Sequence, residues 1–231
     1  MRELELHEKF EMEFLDFLRR KKTLGQLIFH GGTMLRLCFE LPRYSVDLDF
    51  YLIEGKSFEA AFKGLKKELA EDGYDVTDFQ EKYFTYLIEV RKTGYPRRLK
   101  LEIRKRPLGK ISTTQNIAYS KYSPNLQLRL VTLTLEQMFK NKIEAFLSRG
   151  EIRDAFDLEF LFRRGAGSFN DMPKETLEEV AKRLDSFKNV DFSNKLGNLL
   201  GPEDRKFYEK NRFAFLRSAI MAEINKSPPI K

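Results

Sequence analysis

The spacing of apolar residues predicts a mixture of helices and strands in the first half of the chain. Leu4, Phe10, Phe14, Leu15 and Leu18 recur at helical spacing, which predicts an amphipathic helix over residues 2–22. Short apolar and alternating segments, punctuated by Gly, Pro and Asp, indicate further elements. Helices are predicted at 33–40 and 57–72, strands at 27–29, 47–53, 74–79, 83–92 and 98–105, and one or two more strands within 115–131.

From Leu133 onward the pattern is helical throughout. Helices are predicted at 134–148, 151–163, 174–187 and 203–225, and the tail Ser227–Lys231 is expected to be frayed. A mixed half followed by a helical half predicts an α+β protein with two domains. We place them at residues 1–130, a mixed sheet with flanking helices, and 131–231, a helical lobe.

Composition narrows the class of protein. The 231 residues are 42% apolar and 33% charged, which is typical of a globular chain with a charged surface. No apolar run is long enough to span a bilayer, and the charged N-terminus does not resemble a signal peptide. The single cysteine, Cys38, cannot form an internal disulfide. We therefore expect a cytoplasmic protein without a membrane partner.

The net charge of +7 is concentrated in one segment. Residues 91–110 contain nine basic side chains and one acid, Glu102. Such a patch is typical of a protein that binds a phosphate-rich partner. It is equally compatible with an edge hairpin whose lysines prevent aggregation. The sequence leaves both interpretations open.

Two carboxylates stand at the start of the predicted strand 47–53. Side chains alternate along a strand, so Asp47 and Asp49 share one face while Leu48, Phe50 and Leu52 point into the core. Neighbouring carboxylates repel unless a cation lies between them, and Mg²⁺ prefers such oxygen ligands. The alternative is a strand end with two solvated acids.

Two nearby patterns strengthen the interpretation as a metal site. Gly31-Gly32-Thr33 lies between a strand and a helix, where backbone N–H groups can approach an anion, although Thr33 could also simply cap the helix. On the strand 98–105, Glu102 shares a face with Lys100 and Arg104. Glu102 is either a third metal ligand or a partner in an ion pair.

These residues resemble the DNA polymerase β-like nucleotidyltransferases, which carry a glycine pair, an Asp-x-Asp strand and a later carboxylate. The longer string HGGTMLRLCFELPRYSVDLDFYL, residues 30–52, resembles one branch, the AbiEii/AbiGii-type nucleotidyltransferase toxins. His30 departs from the branch, in which a Lys or Arg is common at that position. The matching residues are Gly31, Gly32, Thr33, Leu35, Arg36, Arg43, Ser45, Asp47, Leu48, Asp49 and Phe50.

A second segment, residues 135–158, resembles the same branch. Its matching residues are Lys142, Ala145, Arg149, Arg153, Asp154, Asp157 and Leu158. Independently of the resemblance, Lys142 interrupts an apolar helical stripe, so a buried ammonium with an anionic partner is expected. The alternative is a lysine whose stem is buried and whose ammonium reaches the surface.

The resemblance implies a polymerase β-like core, a helical lobe and metal-dependent transfer of a nucleoside monophosphate from a nucleoside triphosphate (NTP), releasing pyrophosphate. Two Mg²⁺ ions, with Mn²⁺ as an alternative, would be held by Asp47, Asp49 and Glu102. Asp157, and less directly Asp154, would orient Lys142 or the acceptor. The catalytic residues would be Asp47, Asp49, Lys142 and Asp157, and the nucleotide would be bound by Gly31, Gly32, Thr33, Arg36, Ser45, Lys142 and Arg153.

The resemblance also implies a biological setting. Related proteins are toxins paired with a cognate antitoxin, and some add nucleotides to tRNA 3′ ends, so RNA is the expected acceptor. Nucleotidylation of a small molecule or a protein uses the same metal chemistry and remains open. The alternative from another class is a non-catalytic RNA- or partner-binding module on the same fold. The intact Asp pair, Ser45 and Lys142 favour the enzyme.

Overall fold

A computed structural model describes residues 2–55, 58–106 and 109–226 of the chain. The chain divides into two compact units, of which the first ends at Thr134 and the second begins at Leu135. The last strand of the first unit, Gln127–Leu133, runs through residue 130, where the sequence placed the end of the first domain. The tail that was expected to be frayed lies outside the described residues.

The first unit contains the mixed elements that the apolar pattern predicts. The segment 115–131, which the sequence left ambiguous, forms two strands, and the helix predicted from residue 33 already begins at Gly31. A short 3₁₀ turn precedes the first strand. The elements are α1 (Arg2–Arg20), β1 (Leu27–His30), α2 (Gly31–Phe39), β2 (Asp47–Leu52), α3 (Glu59–Glu71), β3 (Asp75–Glu81), β4 (Thr85–Arg91), β5 (Leu99–Arg104), β6 (Thr113–Tyr119) and β7 (Gln127–Leu133).

The seven strands form one sheet in the order β3-β4-β5-β2-β1-β7-β6. Two neighbouring pairs, β2 with β5 and β1 with β7, are parallel, and the other pairs are antiparallel. The parallel pairs are joined by long connections, whereas β3-β4-β5 and β6-β7 are joined by short turns, as strand direction requires. The predicted fold class, α+β with a mixed sheet and flanking helices, is confirmed.

The two faces of the central strands differ in character. Leu48, Phe50, Leu101 and Ile103 are buried on one face, and α1, α2 and α3 each contact the sheet. Burial of each such side chain contributes about 1.5–3 kcal/mol. Asp47, Asp49 and Glu102 alternate with these residues and are therefore half-buried on the opposite face. The core-forming pattern thus gathers the acidic side chains on one side of the sheet.

The second unit is helical, with five α-helices and short π-helical and 3₁₀ turns at Asp191–Leu196 and Gly197–Leu199 in the part that the structure describes. The single helix predicted over 203–225 is wrong, because the chain turns at Arg212, where φ is 50°. The second of the two helices starts with its Leu216 N–H donating to Glu159, a residue distant in sequence. The helices are α4 (Leu135–Arg149), α5 (Ile152–Arg163), α6 (Lys174–Ser186), α7 (Pro202–Asn211) and α8 (Ala214–Ile224).

Helix polarity bears on the expectation that the protein has no membrane partner. The longest helix, α1, carries charged residues along its whole length. Within residues 2–55, 58–106 and 109–226, no helix has the length and apolar character needed to cross a bilayer.

Candidate active site

The first glycine of the Gly-Gly-Thr motif lies directly against the second aspartate of the Asp-x-Asp motif. Gly31 begins α2 with φ +83°, a conformation that favours glycine. A Cβ atom on Gly31 would lie 2.5 Å from Oδ2 of Asp49. The start of α2 can therefore approach the Asp49 carboxylate only because residue 31 lacks a side chain.

The second glycine is enclosed by two further motif residues. A Cβ atom on Gly32 would lie 2.8 Å from Oγ of Ser45 and 2.5 Å from Nη2 of Arg43. The first backbone N–H groups of a helix have no partner within the helix and attract anions. The start of α2 therefore places an anion-attracting backbone beside the half-buried Ser45 hydroxyl and the Asp49 carboxylate.

Thr33 joins the two motifs from within the core. It has no exposed surface, and its hydroxyl donates a 2.6 Å hydrogen bond to the backbone oxygen of Asp47. The sequence predicted that Thr33 would bind phosphate. The phosphate contact stays a prediction, and the hydroxyl faces the main chain of β2 because residue 33 lies on the inward side of the first turn of α2. Thr33 thus fixes α2 relative to the strand that carries Asp47.

Arg36, also predicted to bind the nucleotide, makes its contacts inside the first unit. Its Nε donates to Oε2 of Glu8 at 2.7 Å, and its Nη1 donates to the backbone oxygen of Leu41 at 2.9 Å. The guanidinium also stacks 4.3 Å from the ring centroid of Tyr44. These contacts connect the end of α2 to α1 and to the segment that leads into β2.

Sequence reasoning missed a buried polar network on α1. Glu8 accepts a 2.6 Å hydrogen bond from the Ser120 hydroxyl, and His7 Nε2 lies 2.9 Å from the backbone oxygen of Val46. Glu11 lies 3.3 Å from the Thr33 hydroxyl, and burial, together with the charges of Glu8 and Asp47, raises its pKa well above the usual value. A signal was present, since these polar residues interrupt the apolar pattern of 2–22. The network supports α2 and β2 from the core side.

The third predicted carboxylate lies directly beside the Asp pair. Asp49 is the register partner of Glu102 on the parallel strand β5 and of His30 on the antiparallel strand β1. Asp47 is the register partner of Lys100. Neighbouring strands lie about 4.8 Å apart, so Asp49 and Glu102 are adjacent on the same face of the sheet. We call Asp47, Asp49 and Glu102 the carboxylate row.

Lys100 interacts electrostatically with all three carboxylates of the row. Its Nζ is 2.8 Å from Oε2 of Glu102, so the ion pair that the sequence offered as an alternative role for Glu102 is present. Partial burial would lower the pKa of Lys100, but the hydrogen bond to Glu102 and the charges of Asp47 and Asp49 outweigh it and raise the pKa. The carboxylate row therefore stabilises a positive charge at this position.

Within the described residues, no three acidic, histidine or cysteine side chains are gathered closely enough to hold a metal ion as they stand. The chemistry of the carboxylate row nonetheless fits a hard divalent cation, because all three donors are carboxylates and already attract the ammonium of Lys100. A bound ion would neutralise charge on phosphate oxygens and activate an acceptor hydroxyl. Asp47, Asp49 and Glu102 are the residues that would hold it.

The second unit contains a buried ion cluster built on α4 and α5. Lys142 is 7% exposed, and its Nζ lies 3.0 Å from Oδ1 of Asp154 and 2.6 Å from Oδ2 of Asp157. The guanidinium of Arg149 holds both oxygens of Asp154, at 2.6 and 2.7 Å. The expected buried ammonium with anionic partners is confirmed, and the alternative of an ammonium at the surface is wrong.

The positive charges of this cluster stabilise the ionised form of Asp154. Burial would raise the pKa of Asp154, but the Arg149 hydrogen bonds and the charge of Lys142 outweigh it and lower the pKa. Asp154 is therefore ionised at neutral pH. Arg153, predicted to bind the nucleotide, is half-buried beside it on α5.

The basic segment 91–110 is partly neutralised by neighbouring acids. Lys92 pairs with Glu13, Arg98 with Glu89, Lys100 with Glu102, and Lys105 with Glu81. The remaining positive charge is carried by side chains that are exposed to solvent. These are Arg91, Arg97, Arg104, Arg106 and Lys110.

Comparisons with known proteins assign the chain to a family. Residues 16–226 match the family model described as nucleotidyl transferase AbiEii toxin, type IV toxin–antitoxin system. Two Helicobacter pylori crystal structures are similar at 18% identity. They are JHP933, covering 92% of this chain and 94% of that chain with a TM-score of 0.46, and a provisionally assigned nucleotidyltransferase, covering 92% and 96% with a TM-score of 0.48. A search of curated proteins gave no match. The chain belongs to the AbiEii family of nucleotidyltransferase toxins.

Proposed function

We propose that this nucleotidyltransferase toxin transfers a nucleoside monophosphate from an NTP to an RNA acceptor, the 3′ end of tRNA, with Mg²⁺ as the metal. Family membership gives the reaction class, a nucleotide substrate and an antitoxin partner. The metal and the acceptor are our own assignments, and they rest on the side chains of the first unit.

The observation that carries the proposal is the contact between the start of α2 and the carboxylate row. Gly31 lies against Asp49, and Asp49 lies beside Glu102. One edge of this arrangement attracts anions through backbone N–H groups, and the other attracts cations through carboxylates. Enzymes that transfer phosphoryl groups need both, because a metal ion must bridge protein carboxylates and substrate phosphate oxygens.

Each residue of this arrangement has a separate task in the proposal. The backbone N–H groups at Gly31 and Gly32, with the Ser45 hydroxyl, bind phosphate oxygens of the NTP. Asp47, Asp49 and Glu102 would hold the metal, which would neutralise charge on the phosphate oxygens, and the carboxylate of Glu102 now pairs with Lys100. Thr33 and Arg36 act indirectly, because their contacts fix α2, β2 and α1 in place.

The roles of Lys142, Arg153 and Asp157 toward the nucleotide stay predictions. The resemblance implies that Lys142 contacts the triphosphate. Its two ion pairs with Asp154 and Asp157 support a fixed position for the ammonium within the second unit. Arg153→Ala tests the nucleotide-binding role separately. Arg153 is only half-buried, so its removal should disturb the buried ion cluster less than removal of Lys142 would.

RNA is the acceptor that the surface charge favours. The exposed arginines of 91–110 lie on or next to β4 and β5, the strand that carries Glu102. Lysine and arginine contacts to a nucleic-acid backbone release counterions, so RNA affinity should fall steeply with salt concentration. A small-molecule acceptor would not require such an extended cationic surface.

The test is incubation of the full chain with labelled NTPs and total cellular RNA, with Mg²⁺ or with a chelator, followed by identification of the labelled species. We expect Mg²⁺-dependent labelling of tRNA. Asp47→Asn should abolish labelling without unfolding the protein, whereas Asp171→Asn, at an exposed acid of the second unit, should leave it unchanged. Labelling of protein alone, or activity retained by Asp47→Asn, would contradict the acceptor or the metal assignment respectively.

A further inference from the structure

Two aromatic side chains project into solvent from the turn between β3 and β4. Tyr83 is 85% exposed and Phe84 is 74% exposed, more than any other large apolar residue in the described part of the chain. Their rings meet edge to face, with centroids 4.4 Å apart at 87°. Large exposed apolar groups are costly in water and commonly mark a binding surface.

The backbone beneath these rings is held by hydrogen bonds. The N–H of Lys82 donates to the oxygen of Thr85 at 2.8 Å, which closes the turn. The N–H of Lys105 donates to the oxygen of Phe84 at 2.9 Å, which ties the turn to the chain after β5. The aromatic pair is therefore presented by a hydrogen-bonded hairpin, so little ordering of the backbone is needed on binding.

Basic side chains surround the aromatic pair. A cavity of about 270 Å³ is lined by Tyr83, Phe84, Lys105 and Arg106. Lys82 and Arg104 are exposed nearby, and Glu81, the acid next to the turn, pairs with Lys105. The four basic residues outnumber the two acids that lie near Lys105, namely Glu81 and Glu59, and Glu59 is itself paired with Lys63. This excess of positive charge favours an anionic ligand. We call these four basic residues and the two rings the aromatic platform.

We propose that the aromatic platform binds single-stranded RNA by stacking unpaired bases on Tyr83 and Phe84, with the basic side chains on the phosphates. Exposed aromatic rings within a cationic surface are typical of proteins that bind single strands. A duplex hides the faces of its bases, so it would leave the rings without partners. A protein partner would use the rings but would have no general need for the surrounding positive charge.

The position of the platform suits an acceptor strand, an argument that rests on the proposed function. Arg104 lies two residues beyond Glu102 on β5, on the same face of the sheet, and is the register partner of Thr85 next to the turn. At about 3.3 Å per residue, the backbone contact between Lys105 and Phe84 lies about 10 Å along the strand from Glu102. One or two unpaired nucleotides would cover that distance, so the platform would hold the strand just before its reacting end.

The test measures RNA binding directly, by fluorescence anisotropy of a labelled single-stranded RNA heptamer with the full chain, in a chelator and without NTP. Stacking of one base on an aromatic ring is worth roughly a five- to hundredfold change in affinity, so a Tyr83→Ala, Phe84→Ala double variant should bind at least about tenfold more weakly. Tyr83→Phe should bind like the unaltered protein, because stacking does not need the hydroxyl. Affinity for duplex RNA should change little.

The control is a matched double variant on the opposite edge of the sheet, Ile117→Ala with Tyr119→Ala, which removes exposed apolar groups from β6 and should leave RNA affinity unchanged. Equal RNA affinity of the platform variant and the unaltered protein would overturn the proposal. Loss of binding to a protein partner in the variant, without loss of RNA affinity, would overturn it as well. Calorimetry with NTP and Mg²⁺ separates the two claims. Failure of the unaltered protein to bind NTP would count against the proposed function. The RNA measurement needs neither NTP nor Mg²⁺, so it tests the platform by itself.

Discussion

Substitution of Gly31 by Ala tests whether the start of α2 must touch the Asp49 carboxylate. A matched control exists in the same unit. Gly73 has φ +81°, almost the same as the +83° of Gly31, but a Cβ atom there would meet no atom within 4 Å. The two alanine variants therefore share the cost of the backbone conformation and differ in the contact with Asp49.

The magnitude of the difference follows from the distances. A positive φ costs an alanine about 1–2 kcal/mol at either position. At residue 31 the new Cβ would also lie 2.5 Å from Oδ2, 3.1 Å from Cβ and 3.2 Å from Cγ of Asp49. Rotation of the carboxylate relieves only the first of these contacts, so the backbone of α2 or β2 must also move. Overpacking of this kind costs about 1–3 kcal/mol, which is the expected difference in unfolding free energy between the variants.

The assays are urea unfolding and calorimetric titration of NTP with Mg²⁺. Gly31→Ala should be less stable than Gly73→Ala by about 1–3 kcal/mol and should lose NTP binding, because Asp49 is displaced from the carboxylate row. Gly73→Ala should bind NTP like the unaltered protein. Equal stability of the two variants, together with normal NTP binding by Gly31→Ala, would refute the argument that this contact builds the site.

Three further substitutions test the supporting contacts. Thr33→Val removes the hydrogen bond to the Asp47 backbone at nearly constant volume. It should cost about 1 kcal/mol of unfolding free energy and reduce the transfer rate. An unchanged rate would count against a positioning role for Thr33. The pKa of Glu11 is raised in the folded protein, so between about pH 4.5 and the folded pKa the folded state keeps a proton that the unfolded chain has released. The unfolding free energy therefore falls as the pH rises through this range. Glu11→Gln should therefore gain stability relative to the unaltered protein between pH 5 and 8 in urea unfolding, and a constant difference would contradict the assignment. Lys142→Met leaves Asp154 and Asp157 without their ammonium, so thermal unfolding should show a loss of about 3–5 kcal/mol. An unchanged unfolding free energy would contradict the buried ion cluster.

The sequence predicted the fold wherever apolar spacing alone decides the element. The alternation Leu48-Asp49-Phe50 on β2 and the stripe on α1 report directly which side is buried. The break at Arg212 was missed because the apolar pattern continues through 203–225. What separates α7 from α8 is a left-handed backbone and a contact from Glu159, a residue about fifty positions away, which local spacing cannot reveal.

The sequence predicted which acidic residues lie together, but it did not predict the individual contacts of the motif residues. Strand alternation placed Asp47 and Asp49 on one face, and the parallel pairing of β2 with β5 brings Glu102 beside them. Which hydroxyl or guanidinium faces inward depends on tertiary packing. The motif alone could not reveal that Thr33 has a partner on β2 and Arg36 one on α1, and their contacts with phosphate stay predictions.

The most direct test of the account is a crystal structure of the protein with Mn²⁺ and a non-hydrolysable NTP analogue. Anomalous scattering locates the metal independently of its ligands. We predict a metal peak bound by Asp47 and Asp49, with Glu102 released from Lys100 toward the ion and the analogue phosphates against the backbone of Gly31 and Gly32. A metal and nucleotide bound elsewhere, with the Glu102–Lys100 ion pair intact, would contradict the proposal that the carboxylate row is the catalytic centre.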